Sequence, residues 1–157
     1  MLTIRPAVLG DAPTIVRFNQ ALAQETEGRS LDPTLLEPGV QAVLQDAQKG
    51  RYFVAETDGR IVGQLMITFE WSDWRNGVIW WIQSVYVDAA YRRQGVFRRL
   101  YRNLETEARA TEGVCGIRLY MEHANHTARA TYLSLGMHPA GYEVLELDFR
   151  PPSPSAP

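Results

Sequence analysis

Several things that would define a protein class are scarce in this chain. Its 157 residues include one cysteine, Cys115, which excludes an internal disulfide and fits a reducing compartment. The three histidines, His123, His126 and His138, lack the spacing of a zinc site on one helix face, and no cysteine pair joins them; no metal is expected. No apolar stretch approaches the length of a membrane span, and Met1-Leu2-Thr3-Ile4-Arg5-Pro6 carries no signal-peptide pattern. The expectation is a cytoplasmic protein with no membrane partner. A formal net charge of −2 leaves no excess of one sign, so nucleic acid is not expected as a partner either. There is no internal repeat and no domain boundary. One domain is predicted over residues 1–150, followed by a disordered tail, 151–157, whose sequence PPSPSAP cannot build a core.

The chain alternates between strand and helix patterns. Residues 2–7 read as a first strand. Asp11-Ala12-Pro13 is a cap signal for a helix with Ile15, Val16, Phe18 and Leu22 on its buried side. After a polar loop at 25–29, Asp32-Pro33 opens a second helix carrying Leu35, Leu36, Val40, Val43 and Leu44, closed by Lys49-Gly50. Strands 52–56 and 61–70 flank Asp58-Gly59, a strong hairpin signal. A second turn, 71–77, leads into a nearly continuous apolar strand, 78–87, as expected of a central strand covered on both faces. A helix over 94–112, a strand over 114–121, a helix over 125–135 and a final alternating strand over 142–149 follow, with a short strand near 137–141 as an optional addition. Within its apolar run Cys115 is predicted to be a buried small hydrophobe.

Everything is organised around residues 83–101. An apolar strand end, Val85-Tyr86-Val87, turns directly into a helix lined by Val96, Leu100, Leu104 and Ala108. The turn holds Gly95 and four arginines, Arg92, Arg93, Arg98 and Arg99. A strand that turns into a helix presents unpaired N–H groups, a ready site for phosphate. No Ser, Thr, Asp or Asn occupies the N-cap, so an anionic ligand is left to satisfy those donors. A solvated basic helix face is the alternative reading.

The run Arg92-Arg93-Gln94-Gly95-Val96-Phe97 resembles the acyl-CoA pyrophosphate loop of the GCN5-related N-acetyltransferases (GNAT), Q/R-x-x-G-x-G/A. Asn125-His126-Thr127-Ala128, Tyr132 and Gly136-Met137 resemble the family's second motif, N-x-x-A-x-x-x-Y-x-x-x-G-F. One departure from the pattern matters: Phe97 stands where the family has Gly or Ala, which requires its side chain to point into the core. The resemblance covers the chain to residue 149. It implies an α/β fold with a mixed, mostly antiparallel sheet of six to seven strands, helices on both faces and the order β-α-α-β-β-β-α-β-α-β(-β). It also implies an acyl-CoA-dependent N-acyltransferase with acetyl-CoA as co-substrate and a small-molecule or peptide amine as acceptor. The alternative is a non-catalytic acyl-CoA-binding module.

By the same resemblance, strands 79–87 and 115–121 splay apart and pantetheine lies between them, bonded by backbone groups of Val85 and Val87 beside Tyr86. The Val85 N–H falls near the thioester carbonyl, where a donor stabilises developing negative charge. The pyrophosphate falls to Arg92, Arg93, Gln94, Gly95, Val96, Phe97 and Arg98, with Asn125, Ala128 and Tyr132 completing the cofactor contacts. Tyr132 is the candidate general acid, since a phenol with a pKa near ~10 is protonated at neutral pH. It lies seven residues after Asn125, about two helical turns. Asn125 is open between a plain N-cap and a cofactor contact and can be both, and Tyr132 is open between catalysis and the core.

The base that deprotonates the amine is sought among Glu70, Glu122, Glu25 and Glu27, with a water chain as the alternative. The histone-modifying branch carries a glutamate where Trp81 stands here, which speaks against that mechanism. Glu25, Glu27, Trp71, Trp81 and Gln83 are the candidate acceptor contacts. The aromatic density around the second hairpin suits a pocket for an amine, since tryptophan faces attract ammonium groups. Packing or a homodimer interface explains it equally well.

Overall fold

The computed structural model describes residues 1–150; the predicted tail at 151–157 lies outside the described residues. They divide into two compact units, 1–118 and 119–150.

The first unit carries β1 (Thr3–Pro6), α1 (Ala12–Glu27), α2 (Pro33–Gln45), β2 (Arg51–Thr57), β3 (Arg60–Ser72), β4 (Gly77–Val87), α3 (Val96–Ala110) and β5 (Val114–Arg118). The five strands form one sheet in the order β1-β2-β3-β4-β5, antiparallel except for the parallel pair β4–β5. The β2–β3 hairpin turns on Asp58 and Gly59, both at positive φ (51° and 72°), the geometry of a two-residue turn that follows strand twist. Pro33 opens α2 behind Asp32, whose carboxylate accepts from the Thr34 N–H at 2.9 Å. At α1 the capping expectation is corrected. Asp11 occupies the N-cap but its side chain turns back, accepting from Arg5 (2.7 and 3.1 Å) and from the Val8 N–H (2.8 Å). The Arg5 bond holds this carboxyl below its ordinary range.

Helices cover both faces of the sheet. Side chains of adjacent strand residues point to opposite faces. Gly63 abuts Val96 and Leu100 of α3, whereas Gln64 bonds Asn19 of α1. One core layer is built from Ala12, Ile15, Val40 and Tyr52, with Val16, Leu36 and Met66 against them. The face toward α3 closes over Leu100 and Leu104, both fully buried.

The second unit carries α4 (His126–Ser134) and irregular chain. Here the strand count is corrected, because the described residues form five strands rather than six or seven. Residues 142–149 adopt no strand, nor do 137–141. Tyr142, Val144, Leu145, Leu147 and Phe149 are all exposed. Alternation of apolar and polar residues specifies a surface that fits a sheet, but a strand also needs a neighbour to bond. Cys115 is corrected as well: it is exposed, because β5 is an edge strand among the described residues. No described helix is long and apolar enough to cross a membrane.

Candidate functional site

Strand β4 changes character along its length. From Val78 to Trp81 it pairs with β5 and also with β3. Beyond Trp81 the β5 ladder stops, and the Ile82–Val87 stretch keeps β3 alone. Within that stretch the β3 register jumps: Met66 faces Gln83 and Gln64 faces Tyr86, so Ser84 and Val85 together oppose Leu65. This is a β-bulge, and Ser84 sits at φ 51° in the left-handed region, uncommon for a residue with a Cβ. The sequence shows no sign of it, having neither glycine nor proline there.

After Val87 a turn at Asp88–Tyr91 leads to the arginine loop. Asp88 caps it by accepting from the Ala90 N–H at 3.0 Å. Arg93 and Gly95 both have positive φ (61° and 79°). Gly95 is the N-cap of α3 and supplies no side-chain bond, as expected from the sequence. The first turn of α3 contains no acidic residue but carries Arg98 and Arg99, placed against the helix dipole. These arginines and Arg93 are exposed and have no ion-pair partner among the described residues. A Cβ on Gly95 would meet nothing within 4 Å, so the space above the helix end is open. Uncapped donors, misplaced cations and open space together suit a polyanionic group such as a pyrophosphate. Val96 is buried against the sheet. Phe97 is only half-buried, its ring 6.2 Å from that of Tyr101, which corrects the expectation of a core position.

On the sheet face toward α1, three sequence candidates come together. The Tyr86 hydroxyl donates to Glu25 at 3.1 Å, and Arg92 donates to the other Glu25 oxygen at 2.6 Å. Arg92 also donates to the Val87 carbonyl at 2.9 Å and lies over the Tyr86 ring. Burial, reinforced by Glu25, raises the Tyr86 phenol above its ordinary pKa. Further along the same face Gln83 donates to Thr68 Oγ1. Glu70 accepts from Trp81 Nε1 at 3.1 Å and from Arg118 at 3.0 Å. Glu70 is thus an ion-paired carboxylate. Trp80, on the opposite face, is buried under Arg51. Glu27 pairs with Arg29 in solvent, and Trp71 is exposed at the hairpin end.

The remaining candidates belong to the second unit. Asn125 is an N-cap, its Oδ1 accepting from the Ala128 N–H at 3.1 Å. Tyr132 sits in α4, half-buried, and burial raises its phenol above the ordinary value. Glu122 is exposed and accepts from the Ala124 N–H at 2.8 Å. Sequence reasoning missed Gln64, which is fully buried beneath the bulge; a glutamine within the apolar run 61–67 was the available signal.

The family model described as Acetyltransferase (GNAT) family matches residues 17–137. No curated protein matches the chain. Among solved structures, a possible acetyltransferase from Clostridium difficile 630 is 45% identical, with a TM-score of 0.89 over 96% of this chain and 99% of that one. A transcriptional regulator from Bacillus halodurans C-125 is 26% identical, with a TM-score of 0.78 over 95% of this chain and 100% of its own. A ribosomal-protein-alanine N-acetyltransferase from Brucella melitensis biovar Abortus 2308 shares the fold at 18% identity, with a TM-score of 0.77 over 96% of this chain and 100% of its own. With three quarters of its length matched and a relative at 45% identity across nearly all of it, the chain belongs to the GNAT acetyltransferase family.

Proposed function

We propose that residues 1–150 act as an N-acetyltransferase that moves the acetyl group of acetyl-CoA to a primary amine of a small molecule or peptide. The amine attacks directly, with both substrates bound. The observation that carries this reading is the bulge at Ser84–Val85 in the part of β4 that β5 leaves unpaired. A bulge there frees backbone groups for a ligand that runs along the strand edge.

In this reading the uncapped start of α3, with Arg92, Arg93, Gln94, Gly95, Val96, Phe97 and Arg98, holds the pyrophosphate. Backbone groups of Val85 and Val87 hold the pantetheine beside Tyr86, with Asn125 and Ala128 as further contacts. Acetyl-CoA supplies the activated thioester. The Val85 N–H donates to its carbonyl oxygen, where negative charge grows as the amine adds. Tyr132 protonates the departing thiolate and recovers its proton from solvent; a raised pKa keeps it in the donor form at neutral pH. Glu25, Glu27, Trp71, Trp81 and Gln83 shape the acceptor side. A base for the amine is sought at Glu70 or Glu122, and the Arg118 ion pair argues against Glu70.

Calorimetric titration with acetyl-CoA, CoA and ATP tests the reading, on the wild type and on Gly95→Asp. Binding of the CoA species alone, lost when a carboxylate is set at the helix start, is the expected result. Failure of acetyl-CoA to bind the wild type would overturn the assignment.

A further inference from the structure

Beneath the bulge lies a polar chain that an acyltransferase core does not need for packing. Gln64 is 0% exposed, between Gly63 and Leu65 in the otherwise apolar stretch 61–67 of its strand. Its Nε2 uses both N–H bonds, one to Asn19 Oδ1 at 2.8 Å and one to the Ser84 carbonyl at 3.1 Å. Asn19, itself buried on α1, donates through Nδ2 to the Tyr52 hydroxyl at 3.2 Å. Because a backbone carbonyl only accepts, the Gln64 amide nitrogen must face Ser84, and its orientation is set. The Gln64 Oε1 is buried and finds no partner among the described residues. Burying an amide with half its capacity unmet costs stability that Leu or Met would not cost.

That expense has a local product. The Ser84 carbonyl and the Val85 N–H belong to one planar trans peptide and point in opposite directions. Holding the carbonyl on the Gln64 amide therefore aims the Val85 N–H away from that amide, in the stretch of β4 that β5 leaves unpaired past Trp81. The left-handed backbone at Ser84 would otherwise relax toward extended strand and rotate this peptide.

We propose that Gln64 is a positioning residue: its buried amide, aimed by Asn19, locks the Ser84–Val85 peptide so that the Val85 N–H points at the thioester carbonyl of bound acetyl-CoA. This rests on the acetyl-CoA reading above and names how that site is pre-organised. Donors fixed before the reaction stabilise growing charge without reorganising.

The test needs no acceptor. Acetyl-CoA carrying 13C at the thioester carbonyl reports polarisation through its infrared stretch and its 13C shift. On binding the wild type, the stretch moves to lower frequency and the 13C resonance downfield. In Gln64→Met, calorimetry shows acetyl-CoA still bound, since the pyrophosphate loop is untouched, while most of both shifts is lost. If Gln64→Met does not fold, Asn19→Ala decides. It leaves Gln64 in place but removes the acceptor that aims its amide, so the shifts shrink with binding kept. Wild-type shifts in a folded variant that binds acetyl-CoA would overturn the inference and leave the functional reading standing. No binding by the wild type would remove both.

Discussion

The Glu25 carboxylate at the end of α1 lies 2.6 Å from the Arg92 guanidinium, 67 residues further along the chain. The pair ties the first helix to the loop that reads as the pyrophosphate cradle, and it occupies Arg92 with an internal anion. A ligand phosphate must compete for that guanidinium. Glu25→Gln removes the competitor, while the Val87 carbonyl still orients Arg92. A half-exposed pair of this kind is worth about 0.5 kcal/mol, so CoA should bind roughly twofold tighter to the variant. The gain should fade at high salt and vanish in an Arg92→Ala background. Weaker binding by Glu25→Gln in calorimetry would show that the carboxylate supports the loop.

Tyr132→Phe separates catalysis from binding. If the phenol protonates the leaving thiolate, turnover measured by thiol release should fall on the order of 10²-fold. Acetyl-CoA affinity should hardly change. Unchanged turnover with an active amine would remove Tyr132 from the chemistry and revive the reading of a core tyrosine.

Alkaline pH should destabilise the first unit through Tyr52. Burial raises its phenol, and the hydrogen bonds from Asn19 and Ser84 offset only part of that effect. Above pH ~10 the unfolded chain has lost this proton while the folded one keeps it. The folded state then binds more protons, so stability falls as pH rises and is fully present below that range. Urea unfolding between pH 8 and pH 11 should show the loss, and Tyr52→Phe should reduce its slope.

Gly63→Ala tests how closely α3 sits on the sheet. A Cβ at this position would lie 2.9 Å from Val96 Cγ1 and 3.3 Å from the Tyr86 carbonyl oxygen. Neither neighbour is a free chain end, so the helix start must move. The expected cost is about 1–3 kcal/mol, read as a lower denaturant midpoint at unchanged m-value. A neutral result would mean that the start of α3 has room to shift.

The sequence made the local elements legible where one residue type has one structural use. Asp32-Pro33 marks a helix start, Asp58-Gly59 a hairpin and Asn125 a cap, and each is found in that role. The uncapped α3 was equally readable, since a missing cap is visible as a missing residue type. The bulge was not, because the bonds around Ser84, from Gln64 to its carbonyl and between its side chain and Tyr52, join residues far apart in the chain. The bonds of Glu25 to Tyr86 and Arg92 join residues far apart in the chain, which spacing rules cannot see. Residues 142–149 have a strand's alternation without a paired edge, and Phe97 was assigned to the core from a motif alone.

The extra residue in β4 also acts as a phase marker. Side chains in a strand repeat every two residues, so a slip of one residue would turn Tyr86 and Gln83 to the opposite face. With Leu65 set against Ser84 and Val85, only one alignment lets Gln64 reach the Ser84 carbonyl. The long hairpin of β3 and β4 can therefore close in a single phase, since a mispaired form loses its central bond.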